Sequence, residues 1–132
     1  MTIERQNPPA LHPTPGYHHV TTVDARRTVH LAGQCPLTPD GAVVPGDVLA
    51  QADQVVANTE AALSHAGAAP EDVVRTVIYV ATSDRPTLSA VWQRFTESSI
   101  AAAFTTASTL VGVTCLGYPG QLVELDVTAA LA

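Results

Sequence analysis

The side chains of this 132-residue chain with most chemistry to offer are few: adjacent His18 and His19, Cys35 and Cys115, Glu124, and six scattered arginines. The histidine pair looks like a metal motif, but in an extended segment adjacent residues point to opposite faces. Zinc needs three or four convergent ligands, and no HxH or HxxxH spacing supplies them; no metal site is expected. One of the two imidazoles can still face a cleft and move protons near neutral pH, against the plainer reading of a surface or packed histidine. The cysteines form no CxxC pair. A nucleophilic cysteine needs a cation or a helix N-terminus to lower its pKa, and neither Cys35 nor Cys115 has a basic neighbour in sequence. Both read as small buried apolar residues. Trp92 shares a helical face with Leu88, Val91 and Phe95 and reads as core.

Charge narrows the partners. The chain carries a net charge of −6 and no lysine, and only Arg26 and Arg27 are adjacent. Nucleic-acid binding draws its affinity from basic residues neutralising phosphates, so no nucleic-acid partner is expected. No apolar run reaches the ~18 residues of a membrane span, and Met1 to Pro15, with its prolines and polar residues, does not read as a signal peptide. A cytoplasmic protein with no membrane partner and no cofactor is the expectation, and its length suits one compact domain.

The elements that must position these residues follow from local patterning. Four prolines in residues 1–15 predict an irregular leader, with the domain proper over 16–132. Tyr17 to Val23 reads as a strand, Asp24 to Arg27 as a turn and Thr28 to Gly33 as a second strand; in that hairpin His18 falls opposite Gly33. Asp47 caps a helix whose apolar face holds Val48, Ala52, Val55, Val56, Thr59, Ala62 and Leu63, ended by Gly67 and Pro70. Val73 to Val80 is a strand. A second helix starts at Pro86 and runs toward Ala103. Thr109 to Leu116 and Gln121 to Ala130 are strands joined across Gly117–Gly120, which predicts that they pair antiparallel. The order is β-β-α-β-α-β-β, an α/β (α+β) domain. Two helices cover one face of such a sheet, so the other must meet water or another subunit.

Ordered pieces of the chain resemble the Rid (reactive intermediate deaminase, YjgF-like) family, whose members also carry the label endoribonuclease L-PSP. The pieces are Gly16-Tyr17, Leu31-Ala32-Gly33-Gln34-Cys35-Pro36 (similar to the family's SGQ-x-P), the helix from Gln51 to Gly67, Asp72 to Val80, and Leu122-Val123-Glu124-Leu125-Asp126. The resemblance implies a chorismate-mutase-like subunit and a homotrimer whose sheets form a central barrel, with a small-molecule cleft between each pair of subunits.

It also implies roles. Glu124 matches the pocket glutamate that positions or activates water; Tyr17 matches the pocket tyrosine; Gly33 matches the glycine whose backbone approaches ligand, with Gln34 beside it. The arginine of the family's Pro-Ala-Arg-Ser/Thr segment, which grips a substrate carboxylate with two parallel hydrogen bonds, is replaced by Ser108 in Thr106-Ala107-Ser108-Thr109. Serine has neither charge nor fork. An enzyme acting on a small reactive imine, enamine or carbonyl compound stays the leading expectation, without standard 2-aminoacrylate deamination. Non-catalytic binding of a small molecule is the alternative, and an endoribonuclease is disfavoured by charge. The even positions of the last two strands carry the smaller or more polar residues. Gly112 is therefore expected to leave room beside Glu124, and the hairpin register puts His18 beside Gly33. Register alone sets Glu124 nearer Thr114 and Gly112 than Ser108, and it is the family resemblance that implies Ser108 and Glu124 facing one another in a cleft closed by the neighbouring subunit. Such a pocket should prefer neutral or weakly polar ligands to carboxylates.

Overall fold

A computed structural model describes residues 1–132. Six strands and two helices run in the order β1 (Thr2–Gln6), β2 (Val20–Asp24), β3 (Arg27–His30), α1 (Val48–His65), β4 (Val73–Val80), α2 (Arg85–Thr96), β5 (Ala107–Gly112) and β6 (Val123–Leu131). The leader is irregular only from Asn7 onward. Its first residues form β1, which pairs antiparallel with β2 from Thr2↔Asp24 to Gln6↔Val20; the prolines begin only at Pro8, beyond the ladder.

The expected hairpin of the second and third strands is absent. Strands β1 and β2 make a separate two-stranded sheet, and β3 joins a four-stranded sheet of order β3-β6-β4-β5. Side chains account for the difference. Thr21 accepts from the Ala107 amide through Oγ1 at 3.0 Å and meets the Thr106 hydroxyl at 2.7 Å, and the His18 amide donates to the Thr106 carbonyl at 3.4 Å. Residues 18–21 therefore run beside the start of β5 rather than folding back on β3.

The last two strands do not pair either. β5 lies parallel to β4 (Ser108↔Thr76, Leu110↔Ile78), and β6 lies antiparallel to β4 (Leu125↔Ile78, Glu124↔Tyr79). β4 therefore separates the two strands that the Gly117–Gly120 turn was expected to join. β5 stops at Gly112, and residues 113–122 form a loop wide enough to step over β4.

Both helices pack on one face. α1 begins as expected, with Asp47 accepting from the Ala50 amide at 2.9 Å, and Gly67 takes a positive φ of 78° just past its end. α2 ends at Thr96, short of Ala103; residues 101–104 form a 3-10 turn. The core joins Val55, Val56 and Leu63 of α1 and Val91 and Phe95 of α2 to Ile78, Val80, Leu125 and Val127 of the sheet. Alternation sends Val77, Tyr79, Glu124 and Asp126 to the opposite face, where no helix covers them.

Candidate functional site

Glu124 sits on that uncovered face, and the chain builds a holder for its carboxylate. The segment after β3 continues alongside β6: the Gln34 amide donates to the Leu125 carbonyl at 2.7 Å, and the Leu125 amide returns to the Gln34 carbonyl at 3.1 Å. With Gln34 paired to Leu125, Gly33 and Cys35 fall beside Glu124. Gly33 supplies space: a Cβ there would lie 2.2 Å from Glu124 Oε2. Cys35 supplies a donor, its thiol reaching Glu124 Oε1 at 3.1 Å, and Gln121 Nε2 donates to the same oxygen at 3.1 Å.

Both donors are themselves fixed. Gln121 is buried, accepts from the Tyr118 amide at 3.2 Å and also donates to the Val123 carbonyl. The backbone at Cys35 is clamped from α1, where Asn58 Nδ2 donates to the Cys35 and Leu37 carbonyls at 3.0 and 2.9 Å. Burial pushes the Cys35 thiol up to about 11, with the hydrogen bond to Glu124 and then its charge adding to the rise and Gln121 opposing it. The thiol is therefore a proton-bearing donor at neutral pH and not a resting nucleophile.

A second cluster lies at the β5 edge of the sheet, on the helix side. Pro15, Tyr17, Ser89, Trp92, Ser108 and Leu110 line a cavity of about 470 Å³, and none of them is charged. Tyr17 and Trp92 meet edge to face with centroids 6.0 Å apart, and Trp92 meets Phe104 in the same manner. Ser108 Oγ accepts from Thr76 Oγ1 at 2.6 Å and donates to the Thr106 carbonyl at 3.0 Å. Its only proton is therefore committed, leaving one lone pair for a ligand. Since Thr76 is buried among the helix-facing residues, Ser108 and Glu124 stand on opposite faces of one subunit's sheet and do not face one another within it.

The remaining candidates divide between structure and site. His18 does not lie beside Gly33; its ring Nδ1–H donates to the Thr105 carbonyl, because β2 never pairs with β3. Gln34 turns its side chain back to the Ala32 carbonyl at 3.0 Å and orders its own loop. Gly112 makes no room for Glu124: a Cβ there would lie 2.4 Å from the Thr82 carbonyl oxygen, so this glycine permits close passage of two backbone segments. Trp92, read from sequence as core, is half-buried and lines the cavity. Gln121 went unread, although a glutamine three residues before a carboxylate in an otherwise apolar stretch was a visible signal.

These features define a class: an α+β subunit with two helices on one face of a four-stranded sheet, an uncovered second face bearing a held carboxylate, and an aromatic-lined cavity at the sheet edge. The chain belongs to the Rid, or YjgF-like, family. The family profile described as Endoribonuclease L-PSP matches residues 8–131. The 2-iminobutanoate/2-iminopropanoate deaminase of Escherichia coli K12 is 34% identical over 96 residues, 71% of each chain. A RutC family protein of Haemophilus influenzae is 35% identical over 78 residues, 58% of this chain and 60% of that protein. Among solved structures, YyfB of Yersinia pestis, a Rid-family protein of unknown function, superposes with a TM-score of 0.88 at 36% identity, covering 99% of this chain and all of that one. The Escherichia coli YjgF gene product superposes with a TM-score of 0.65 at 30% identity over 94% and 92% of the two chains. No helix is long and apolar enough to cross a membrane.

Proposed function

We propose that this protein is a homotrimer whose subunits share composite clefts, and that each cleft hydrolyses a small reactive imine, or the imine tautomer of an enamine, that lacks a carboxylate. The observation that carries this reading is the division of the site into two halves. Tyr17, Trp92 and Ser108 line an uncharged cavity at the β5 edge, whereas Glu124, Cys35 and Gln121 form a held carboxylate on the uncovered face. One chain cannot bring the halves together. Packing the uncovered face of one subunit against the β5 edge of the next would do so, and would cover Val77 and Tyr79 as well. The relationship to a 2-imino acid deaminase supports C=N hydrolysis as the reaction type.

In this reading Glu124 takes a proton from water as the water oxygen bonds to the imine carbon. The carbinolamine then collapses to a carbonyl compound, and the returned proton leaves with ammonia. Cys35 and Gln121 hold Oε1 and leave Oε2 beside Gly33 as the basic oxygen. The cavity around Ser108 contains no cationic group to pair with a substrate carboxylate, and burying a carboxylate without an opposite charge costs about 3–5 kcal/mol. The matching family label of endoribonuclease finds no support in the charge: the chain has a net charge of −6 and six scattered arginines.

The test is a turnover screen against imines with and without a carboxylate, run beside Glu124→Gln. The enamine derived from a threonine dehydratase or cysteine desulfhydrase reaction should be processed no faster than in buffer, and carboxylate-free imines should turn over in a Glu124-dependent manner. Rapid hydrolysis of the carboxylate-bearing imine would defeat the substrate assignment. Binding without any Glu124-dependent turnover would leave a ligand-holding protein in place of an enzyme.

A further inference from the structure

We infer that the cleft selects a positively charged ligand, a protonated amine or iminium, rather than merely a neutral one. This inference rests on the composite-cleft reading above and names the charge of its ligand.

The charge inventory of the two halves gives the sign. No residue lining the aromatic cavity is ionisable except Tyr17. The other half contributes Glu124, whose hydrogen-bond donors, the Cys35 thiol and the Gln121 amide, are both neutral. Glu124 has no cationic partner: the one ion pair of the chain joins Arg94 to Asp53 on the outer helix surfaces. The other arginines are placed elsewhere. Arg5 donates to the Glu71 and Val73 carbonyls at 2.9 and 2.8 Å. Arg75 shares the uncovered face but donates to Thr109 Oγ1 at 2.6 Å and stands at the Thr128 rung of the ladder, whereas Glu124 stands at the Tyr79 rung. Arg26, Arg27 and Arg85 lie outside both halves. The two halves hold one carboxylate and no arginine; the nearest other ionisable groups are Asp126, which shares the uncovered face at the Val77 rung, and His12, whose Nε2 meets the Tyr17 hydroxyl at 3.4 Å outside the cavity lining.

The remaining walls favour the same sign. An aromatic ring presents a negative face to a cation, and Trp92 and Tyr17 both line the cavity. Ser108 offers an oxygen lone pair and no free proton, so it accepts from N–H groups and gives nothing to an anion. Carboxylate, indole and hydroxyl oxygen together form a site for a cation with an apolar body. An iminium is also more electrophilic than a free imine, so the same preference would favour attack by water.

Trp92 is the only tryptophan, so its fluorescence reports occupancy of this cavity. Three probes of one shape and different charge separate the alternatives: benzylammonium, benzyl alcohol and benzoate, titrated at neutral pH into the intact protein while its mass is followed by sedimentation. Benzylammonium should quench or shift Trp92 at a concentration about tenfold below benzyl alcohol, the size expected of a cation–π contact and one charge-assisted hydrogen bond, with benzoate weakest. Glu124→Gln should abolish the advantage of benzylammonium over benzyl alcohol, with far-UV circular dichroism and sedimentation checking that the variant keeps the fold and mass of the parent. Gly33→Ala, which keeps the charge but displaces it, should weaken benzylammonium selectively. Equal binding of all three probes, or tightest binding of benzoate, would overturn cation selection while leaving the cleft in place. A monomer, or no response of Trp92 to any probe, would remove the composite cleft itself and the inference with it.

Discussion

At Glu124 the chain uses a glycine, a thiol and an amide where a positive side chain would have been the stronger electrostatic partner. Two neutral donors fix Oε1 without forming an ion pair, so the carboxylate keeps its charge for whatever enters. The Cys35 thiol should accordingly resist iodoacetamide under conditions in which exposed Cys115 is alkylated, and mass spectrometry of the two cysteine peptides reads this directly. Glu124→Gln removes two of the causes that hold the thiol high, so Cys35 should then react faster and its rate-against-pH midpoint should fall. The stability linked to Cys35 follows from the same shift. A folded pKa raised from the ordinary 9.0 to about 11 favours the protonated thiol; its contribution is complete below the ordinary value and lost as pH rises through the folded one. Gly33→Ala should cost about 1–3 kcal/mol, read as a lower denaturant midpoint, because a Cβ 2.2 Å from Glu124 Oε2 and 2.9 Å from Cδ displaces the carboxylate from its Cys35 and Gln121 donors, and should abolish Glu124-dependent turnover. Glu124 was legible in sequence from its place in Leu122-Val123-Glu124-Leu125-Asp126. Its holder was not, because the thiol lies 89 residues away and a cysteine read by its neighbours alone gives no hint of that contact.

Among the elements, α1 was readable almost to the residue, since its cap, apolar face and terminating glycine are all local signals. Gln51 is the exception on its buried face: it turns inward to donate to the Gly120 carbonyl at 2.9 Å and to accept from the Leu122 amide at 2.7 Å, tying the loop before β6 to the helix. Strand pairing was misread twice for one physical reason. A turn sequence fixes where the chain bends, whereas the partner of each strand is settled by long-range packing. Thr21 and Thr106 hold β2 near β5, and β4 inserts between β5 and β6. Gly112 marks the tightest part of this arrangement. Gly112→Ala would drive a methyl group into the Thr82 carbonyl, a backbone atom with little freedom to yield. The expected loss is about 1–3 kcal/mol, the usual range for overpacking, measured as a lower urea midpoint, with ligand affinity following only as far as β5 moves.

On the scale of the whole molecule, the sheet is the element the subunit leaves unfinished. Its helix side buries Val80, Val123 and Leu125 almost completely, while its other side presents Val77 and Tyr79 between Glu124 and Asp126 with no layer above them. The count of helices against sheet faces was enough to predict this from sequence, and the family resemblance supplied the trimer that would cover it. Sedimentation should find a species of three chains at micromolar concentration, and Tyr79→Glu, which places a charge at the centre of the uncovered face, should shift it toward the monomer. A stable wild-type monomer would defeat the assembly.

The place of β6 in the sheet also governs when this molecule can form. Strand β6 is the last element of the chain, Val123–Leu131, yet it lies between β3 and β4 and joins them. During synthesis β3 and β4 emerge with no contact to bridge them, and α1 and α2 have no finished surface to bury against. The four-stranded sheet cannot close while residues 123–131 are still inside the ribosome. Closure of the sheet waits on the docking of β6, and until it docks the apolar faces of both helices lack the strand that completes their packing surface.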